Sequence, residues 1–496
     1  MPAVLRRACA ALVLLAASAP AGAQSLLARF DTLVARFELP NGMTFLVVPR
    51  REAPVVSFFT YADVGSVDEP AGQSGVAHMF EHMAFKGTTS LGTTGLAAEL
   101  SAMGREDAAF ARLRAARLTG APDAEVAGLE TAFAALRDSA KAFVDDAAFD
   151  RLLTLNGAEG VNAFTSADQT GYFYSLPANK AELWFATESD RWARPVLREF
   201  YQERDVVREE RRQRTDSNPV GRLFEEFLTV AFKAHPYGRP TIGYESDLAA
   251  LSRAEAQAFF DRYYGVGNLT VAIVGDVEPA EMQRLATAYF GAIPPGATPG
   301  RVPTVEPEQL GERRVTLVDR AQPFVFMGFH RPAGTHADAP VYTVLADILD
   351  AGRTSRFYRG LVETRRAVGT NAIEAYPGDK YPALFTLIAV PAPGVDPDSV
   401  EADVTAILDR LAADGVTDEE VARARTRARA GLVAGLEDNS GLASALAEAE
   451  VLSGDWRALF RDLDALDRVT AADVQRVARQ TFRASNRTVA TLRTGS

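Results

Sequence analysis

His78, Glu81 and His82 are the residues of this 496-residue chain whose types and spacing could do chemistry together. Histidines four apart stand on one face of an α-helix, one turn from each other, so both imidazoles can reach a single ion. His is the commonest side chain to bind Zn2+. Glu81, between them, is offset so that its carboxylate can point toward the same ion and act on a water there. The chain has five His in all, so composition alone does not produce such a pair. The competing expectation is two histidines that cap or fill an amphipathic helix. A third ligand elsewhere in the chain decides against it.

A catalytic zinc site takes three protein ligands and keeps a fourth position open. His235, His330 and His336 lie beside proline or in expected loops, which favours surface or structural roles. The only cysteine is Cys9, in a stretch read below as a cleaved leader, so the ligands must be His and carboxylate. Residues 199–232 are predicted to form one long helix carrying Glu203, Glu209, Glu210 and the basic pair Arg211-Arg212. Glu203 and Glu210, seven apart, share a face with Val206 and Val207 between them. A carboxylate on an inward face needs a compensating partner, and a metal ion is one. Glu209 is rotated by about 100° and faces the polar side with Arg212 and Gln213. Glu210 is therefore expected to be the third ligand and Glu203 a nearby acid that supports the site without binding the metal. Structural ion pairing is the alternative for each. The order H-x-x-E-H reverses the H-E-x-x-H zinc helix and is the inverzincin pattern.

Several elements must position this set. The motif falls in a predicted helix over residues 74–85, ended by Lys86-Gly87-Thr88. Before it come strands over 34–38 and 43–48 around Pro40-Asn41-Gly42, then a third over 55–64. Residues 104–155 read as a charged helical hairpin turning at Gly120-Ala121-Pro122, a solvated insertion or else a lid or docking arm. Strands follow over 160–165 and 171–175, then a helix through Trp184 and Trp192, a helix over 254–264 and a strand over 269–274. A stretch rich in Pro and Gly over 293–310 is the expected linker between units 24–292 and 311–496.

Arg6 and Arg7, the apolar run 8–17 and Ala21-Gly22-Ala23 read as a signal peptide over residues 1–23. The expected destination is the periplasm or the cell exterior, with no membrane span. Loss of the leader takes the formal net charge from −12 to −14, a poor balance for nucleic acid and a better one for basic or neutral peptides.

The second half repeats the first. Residues 251–271 align without gaps on 469–489, an offset of 218, and Lys86-Gly87 falls on Ala351-Gly352, an offset of 265. The difference is close to the size of the charged hairpin, which therefore interrupts only the first copy. His78, Glu81 and His82 correspond to Thr343, Ala346 and Asp347, which cannot bind zinc as a set.

The chain resembles the insulinase, pitrilysin and mitochondrial-processing-peptidase family of zinc metallopeptidases. The stretches that carry the resemblance are 75–88 around His78-Met79-Phe80-Glu81-His82, 162–166 (Asn162-Ala163-Phe164-Thr165-Ser166) and 203–210 with its E-x6-E spacing. It covers nearly the whole chain after the leader, strongly in the first half. The fold it implies is α+β: two homologous domains, each a mainly antiparallel sheet packed with helices. It implies Zn2+ as cofactor, held by His78, His82 and Glu210, with Glu81 as general base. Asn162, Ala163 and Phe164 would lie on an edge strand that pairs with a peptide substrate. Members often hold the substrate carbonyl with an Arg and a Tyr seven residues later; here Val362 and Gly369 stand in those places. Two-domain members close a clamshell by dimerising, so the resemblance implies a heterodimer with a related subunit, or second a homodimer. The rival class is a non-catalytic assembly or peptide-binding subunit. The presence of all four zinc-site residues weighs against it.

Overall fold

The structure, a computed structural model, describes residues 26–297 and 299–495, and the expected signal peptide lies outside them. Eleven strands are found there: β1 Ala35–Glu38, β2 Thr44–Pro49, β3 Val55–Ala62, β4 Glu159–Thr165, β5 Thr170–Pro177, β6 Leu269–Gly275, β7 Arg313–Asp319, β8 Phe324–Arg331, β9 Ala367–Tyr376, β10 Ala383–Pro391 and β11 Arg487–Thr494. They form a six-stranded sheet, β1-β2-β6-β3-β5-β4, and a five-stranded sheet, β7-β11-β8-β10-β9. In the first, only β2 and β6 run parallel. In the second, only β7 and β11 do. Apart from β1, the two sheets have one topology, as an internal repeat requires. The offset of 218 carries Leu269, the start of β6, onto Arg487, the start of β11.

Both faces of the first sheet are covered, and the period of two along each strand sorts its side chains. Phe45 and Val47 of β2 join Phe58 and Val271 in a core with the motif helix, Trp184 and Tyr264. Leu46 and Val48 turn the other way, with Phe59, Tyr61, Ala272 and Val274, and meet Leu442, Ala443 and Leu446 of the helix Asn439–Ser453. That helix comes from the second half of the chain. Reciprocally, Leu223, Phe227 and Leu228 of the helix Pro219–Ala231, from the first half, pack under Phe326, Leu384 and Ala490 of the second sheet. The offset of 218 superposes these two helices in sequence, so each copy lends the same element to the other's sheet. The described residues of 293–310 carry no helix or strand, but packing does not divide there.

Three sequence expectations are corrected. The single helix over 199–232 is two: Phe200–Arg211 runs into a widened turn at Arg212–Asp216, and Pro219–Ala231 starts afresh. Pro219 excludes its predecessor from helical backbone, and the Asn218 side chain caps the new start by accepting from Val220 N and Gly221 N. Val206 does not share the inward face: it is 47% exposed, while Val207 is fully buried. The charged hairpin is present as helices Leu96–Leu118 and Asp123–Lys141, starting earlier than the expected 104.

In the second copy, Thr343, Ala346 and Asp347 lie on the helix Ala339–Asp350. Arg427 Nε sits 3.0 Å from Asp347 Oδ2. Arg427 and Ala428 occupy the places of Glu209 and Glu210 at the offset of 218, so Asp347, at the place of His82, pairs with the residue next to the one that matches Glu210.

Candidate active site

The motif helix, Val76–Met83, is fixed from both ends of its first turn and along its back. Gly75 precedes it at φ +87°, and a Cβ there would meet Ile242 O at 2.7 Å, so only glycine fits. The buried Glu69 carboxylate accepts from Gly75 N and Ala77 N, both at 2.9 Å, and so caps the helix. Burial pushes the Glu69 carboxyl up to about 8. Val76, Ala77, Met79, Phe80 and Met83 are buried, and Phe80 stacks on Phe260 at 4.8 Å. The helical period then leaves His78, Glu81 and His82 on the side facing the helix Phe200–Arg211.

That second helix begins after Glu199, a non-glycine residue at φ +55° and 8% exposed, a conformation that costs about 1–3 kcal/mol and is held by its surroundings. Glu199 Oε2 accepts from Lys86 Nζ at 3.2 Å, tying the start of one helix to the end of the other. Glu210 Oε2 lies 3.7 Å from His78 Nε2 and 3.6 Å from His82 Nε2. Ligands of a tetrahedral ion with bonds of about 2.1 Å sit roughly 3.4 Å apart, so this triangle fits zinc. His78, His82 and Glu210 are the one group of three or more ligand-type residues that could hold a metal among the described residues. Glu203 Oε2 lies 3.4 Å from His82 Nδ1, on the far side of that ring from Glu210. His78 Nδ1 is buried without a hydrogen-bond partner.

Burial and neighbouring charges act together on the set. Burial, then the neighbouring His82, depresses His78 to about 4. Burial also acts against a charged His82, but the carboxylates of Glu203, Glu210 and Glu81 outweigh it and raise His82 to about 9. Glu210 is held below the usual carboxylate range, by His82 foremost. Glu81 is raised by burial, and the hydroxyl of Thr165 pulls it back in part. Thr165 Oγ1 donates to Glu81 Oε2 at 2.6 Å.

Glu81 and His82 line a cleft of about 410 Å³ with Phe85, Asn162, Ala163 and Glu203. β4 is the outermost strand of its sheet, so the backbone groups on its free side have no strand partner. Asn162 and Ala163 reach the cleft. The Phe164 side chain does not line it and packs instead near Phe59 and Phe173, with ring centroids at 6.3 and 6.4 Å.

The other histidines stand apart from this set. His235 is 5% exposed and accepts from Tyr237 N, His330 lies on β8 beside Ala231 O, and His336 accepts from Asp338 N. His235 is thus structural rather than superficial. Val362 closes a widened turn, Tyr358–Val362, and Gly369 lies on β9, the outer strand of the second sheet. Sequence reasoning missed Thr165, Lys86, Glu69 and Arg214, whose Nη1 is 2.7 Å from Glu210 Oε1. Two of these were within reach: Lys86 is four residues after His82, and Arg214 four after Glu210.

Two like sheets carry one His-His-Glu triangle, with the Glu81 carboxylate of an H-x-x-E-H inverzincin pattern beside it. Residues 46–142 match the family model described as insulinase, peptidase family M16, and residues 250–428 match that of the peptidase M16 inactive domain. The chain belongs to the M16, or insulinase, peptidase family. It is 26% identical over 464 residues to the zinc protease PqqE of Helicobacter pylori, covering 91% of each chain. It is also 26% identical over 459 residues to an uncharacterized zinc protease of Mycobacterium leprae, covering 90% of this chain and 89% of that one. Among solved structures, a protease from Helicobacter pylori shares the fold with a TM-score of 0.77 at 24% identity, over 93% of this chain and 99% of that chain. The periplasmic protease PqqL from Escherichia coli does so with a TM-score of 0.69 at 18% identity, over 93% of this chain and 48% of PqqL.

Proposed function

We propose that this chain is a zinc metalloendopeptidase that hydrolyses short or unfolded peptides. The observation that carries the reading is the approach of Glu210 Oε2 to both Nε2 atoms, at 3.6 and 3.7 Å, with Glu81 and His82 together lining the cleft. In this reading His78, His82 and Glu210 hold the metal, and Glu203 orients His82 through Nδ1. Zinc held there supplies an acidified water and polarises the scissile carbonyl. Glu81 accepts the proton of the attacking water and passes it to the leaving amine nitrogen. Thr165 keeps one oxygen of Glu81 engaged, so the other is left to face the water. A peptide extended along β4 adds as a further strand at Asn162, Ala163 and Phe164, through backbone hydrogen bonds that are tolerant of sequence.

The partner reading follows from length. PqqL is about twice as long as the part this chain covers, and its first half alone matches this chain over 92% of that fragment, with a TM-score of 0.66. That supports a chain that works as half of a clamshell, as a heterodimer with a related subunit or second as a homodimer. Among the described residues no helix is long and apolar enough to cross a membrane. With the leader-like residues 1–23 and the periplasmic PqqL as a fold neighbour, we assign the chain to the periplasm or exterior.

The test is to measure bound zinc and cleavage of unstructured peptides for the wild type and Glu81→Gln, with and without any co-purifying partner. The expected result is zinc retained and cleavage lost by at least about a hundredfold in the variant. A wild type that binds no zinc and cleaves nothing, with partner present, would overturn the reading in favour of a non-catalytic subunit.

A further inference from the structure

The turn between β4 and β5 begins directly after Thr165, and it is gripped from two sides. On one side Ser166 O accepts from Ser66 N at 3.1 Å and Ala167 O from Val67 N at 2.9 Å. The residues that follow lead to Glu69, the cap of the motif helix. On the other side stands the loop between β9 and β10, from the second half of the chain. Asp168, only 6% exposed, accepts from Asp379 N at 2.7 Å, Lys380 N at 3.0 Å and the hydroxyl of Tyr237 at 2.5 Å. Lys380 Nζ continues the contact to Asp63 Oδ1, just past β3, at 2.5 Å. The approach is close enough to demand glycine: a Cβ on Gly378 would meet Asp168 Oδ2 at 2.2 Å and Tyr237 Oη at 2.6 Å.

A buried carboxylate that takes three hydrogen bonds is costly to leave half satisfied, so this joint has one geometry and holds it. Its position matters because Asp168 comes only three positions after Thr165, whose hydroxyl fixes the general base. We propose that the second half, which has no metal set of its own, acts in cis on the first: its β9–β10 loop, through Asp168, sets the β4–β5 turn and thereby the Thr165–Glu81 hydrogen bond. Asp168 is a positioning residue. The proposal rests on the peptidase reading for its kinetic consequence, but the joint itself can be read without catalysis.

The experiment uses the full chain with Asp168→Asn, Gly378→Ala, Thr165→Val and the Asp168→Asn/Thr165→Val double variant. Asn offers the two backbone N–H groups and the tyrosine one oxygen instead of two. Gly378→Ala displaces the loop from within the second half. For either single change kcat should fall about 10- to 100-fold, while KM and zinc affinity, measured by chelator competition, stay within about twofold. The double variant should be no worse than Thr165→Val, because both changes remove one interaction. Hydrogen exchange over residues 159–170 should quicken in both joint variants. An unchanged kcat, or Asp168 and Thr165 losses that multiply, overturns the proposal. Should Asp168→Asn fail to fold, Gly378→Ala decides. If the wild type cleaves no peptide, the peptidase reading fails, and unchanged exchange over 159–170 in the joint variants is then what overturns the brace.

Discussion

Lys86 Nζ lies 2.7 Å from Glu203 Oε1, and the other oxygen of that carboxylate faces His82 Nδ1 at 3.4 Å. The lysine stands in the turn that follows the motif helix and the acid on the facing helix, so one ion pair ties together the two segments that carry the proposed ligands. Lys86 is only 17% exposed at its side chain and is shared with Glu199. A cation so placed keeps Glu203 ionised and its orientation toward the imidazole fixed.

Lys86→Met should therefore weaken zinc binding by about tenfold or more, as loss of groups supporting a metal ligand does elsewhere. Chelator competition measures it. Secondary structure should be retained, because Phe80 and its neighbours hold the motif helix independently. A variant with unaltered zinc affinity would show that Glu203 needs no such support.

Glu69 gives the metal-free chain a pH dependence with a definite sign. Its carboxyl, pushed up to about 8 by burial, is partly restrained by the amides of Ala77 and Gly75. In the unfolded chain it titrates at about 4.3. The folded value is the higher, so the fold binds this proton more tightly. The stabilising contribution is full below about 4.3 and is lost as pH rises toward about 8. Glu69→Gln cannot titrate, and should lose more stability relative to wild type at pH 5 than at pH 9. Urea midpoints across that range report it; parallel curves for the two proteins would contradict it.

Arg427 and Asp347 invite a contrasting experiment in the second copy. Arg427→Met leaves the Asp347 carboxylate, 11% exposed, without its cation. Breaking a fully buried pair costs about 3–5 kcal/mol. Arg427 itself is 38% exposed, and water screens the pair, so about 1–2 kcal/mol is expected here. Denaturant unfolding measures it. Zinc content should not change, because Asp347 and Arg427 lie on helices of the second half and His78, His82 and Glu210 on helices of the first.

Much of the site was legible because helical geometry converts spacing into direction. His78, Glu81 and His82 needed only a period of 3.6, and Glu203 with Glu210 only a shared face. The same rule misplaced Val206, because that face is narrower than the run of valines. The break between the two helices is written in Ser217-Asn218-Pro219, where proline bars its predecessor from helical backbone. What could not be read was anything joining distant parts of the chain. Asp168 meets Asp379 across 211 residues. Nothing local to Asp168 distinguishes a buried hub from a polar turn residue. The apolar stripes of Pro219–Ala231 and Asn439–Ser453 announce burial in the same way, without naming the sheet that buries them.

The exchanged helices bear on how the chain comes to be folded. After β6 is complete, roughly 180 residues must still be made before Asn439–Ser453 is available to the first sheet. At 5–20 residues per second, the face with Leu46, Phe59 and Val274 stays uncovered for roughly 10–40 s during synthesis. A fragment cut after residue 292 would keep that face open permanently and should aggregate, with all three proposed zinc ligands still in it. The half with no ligands is thus needed for the other to persist as a soluble body at all.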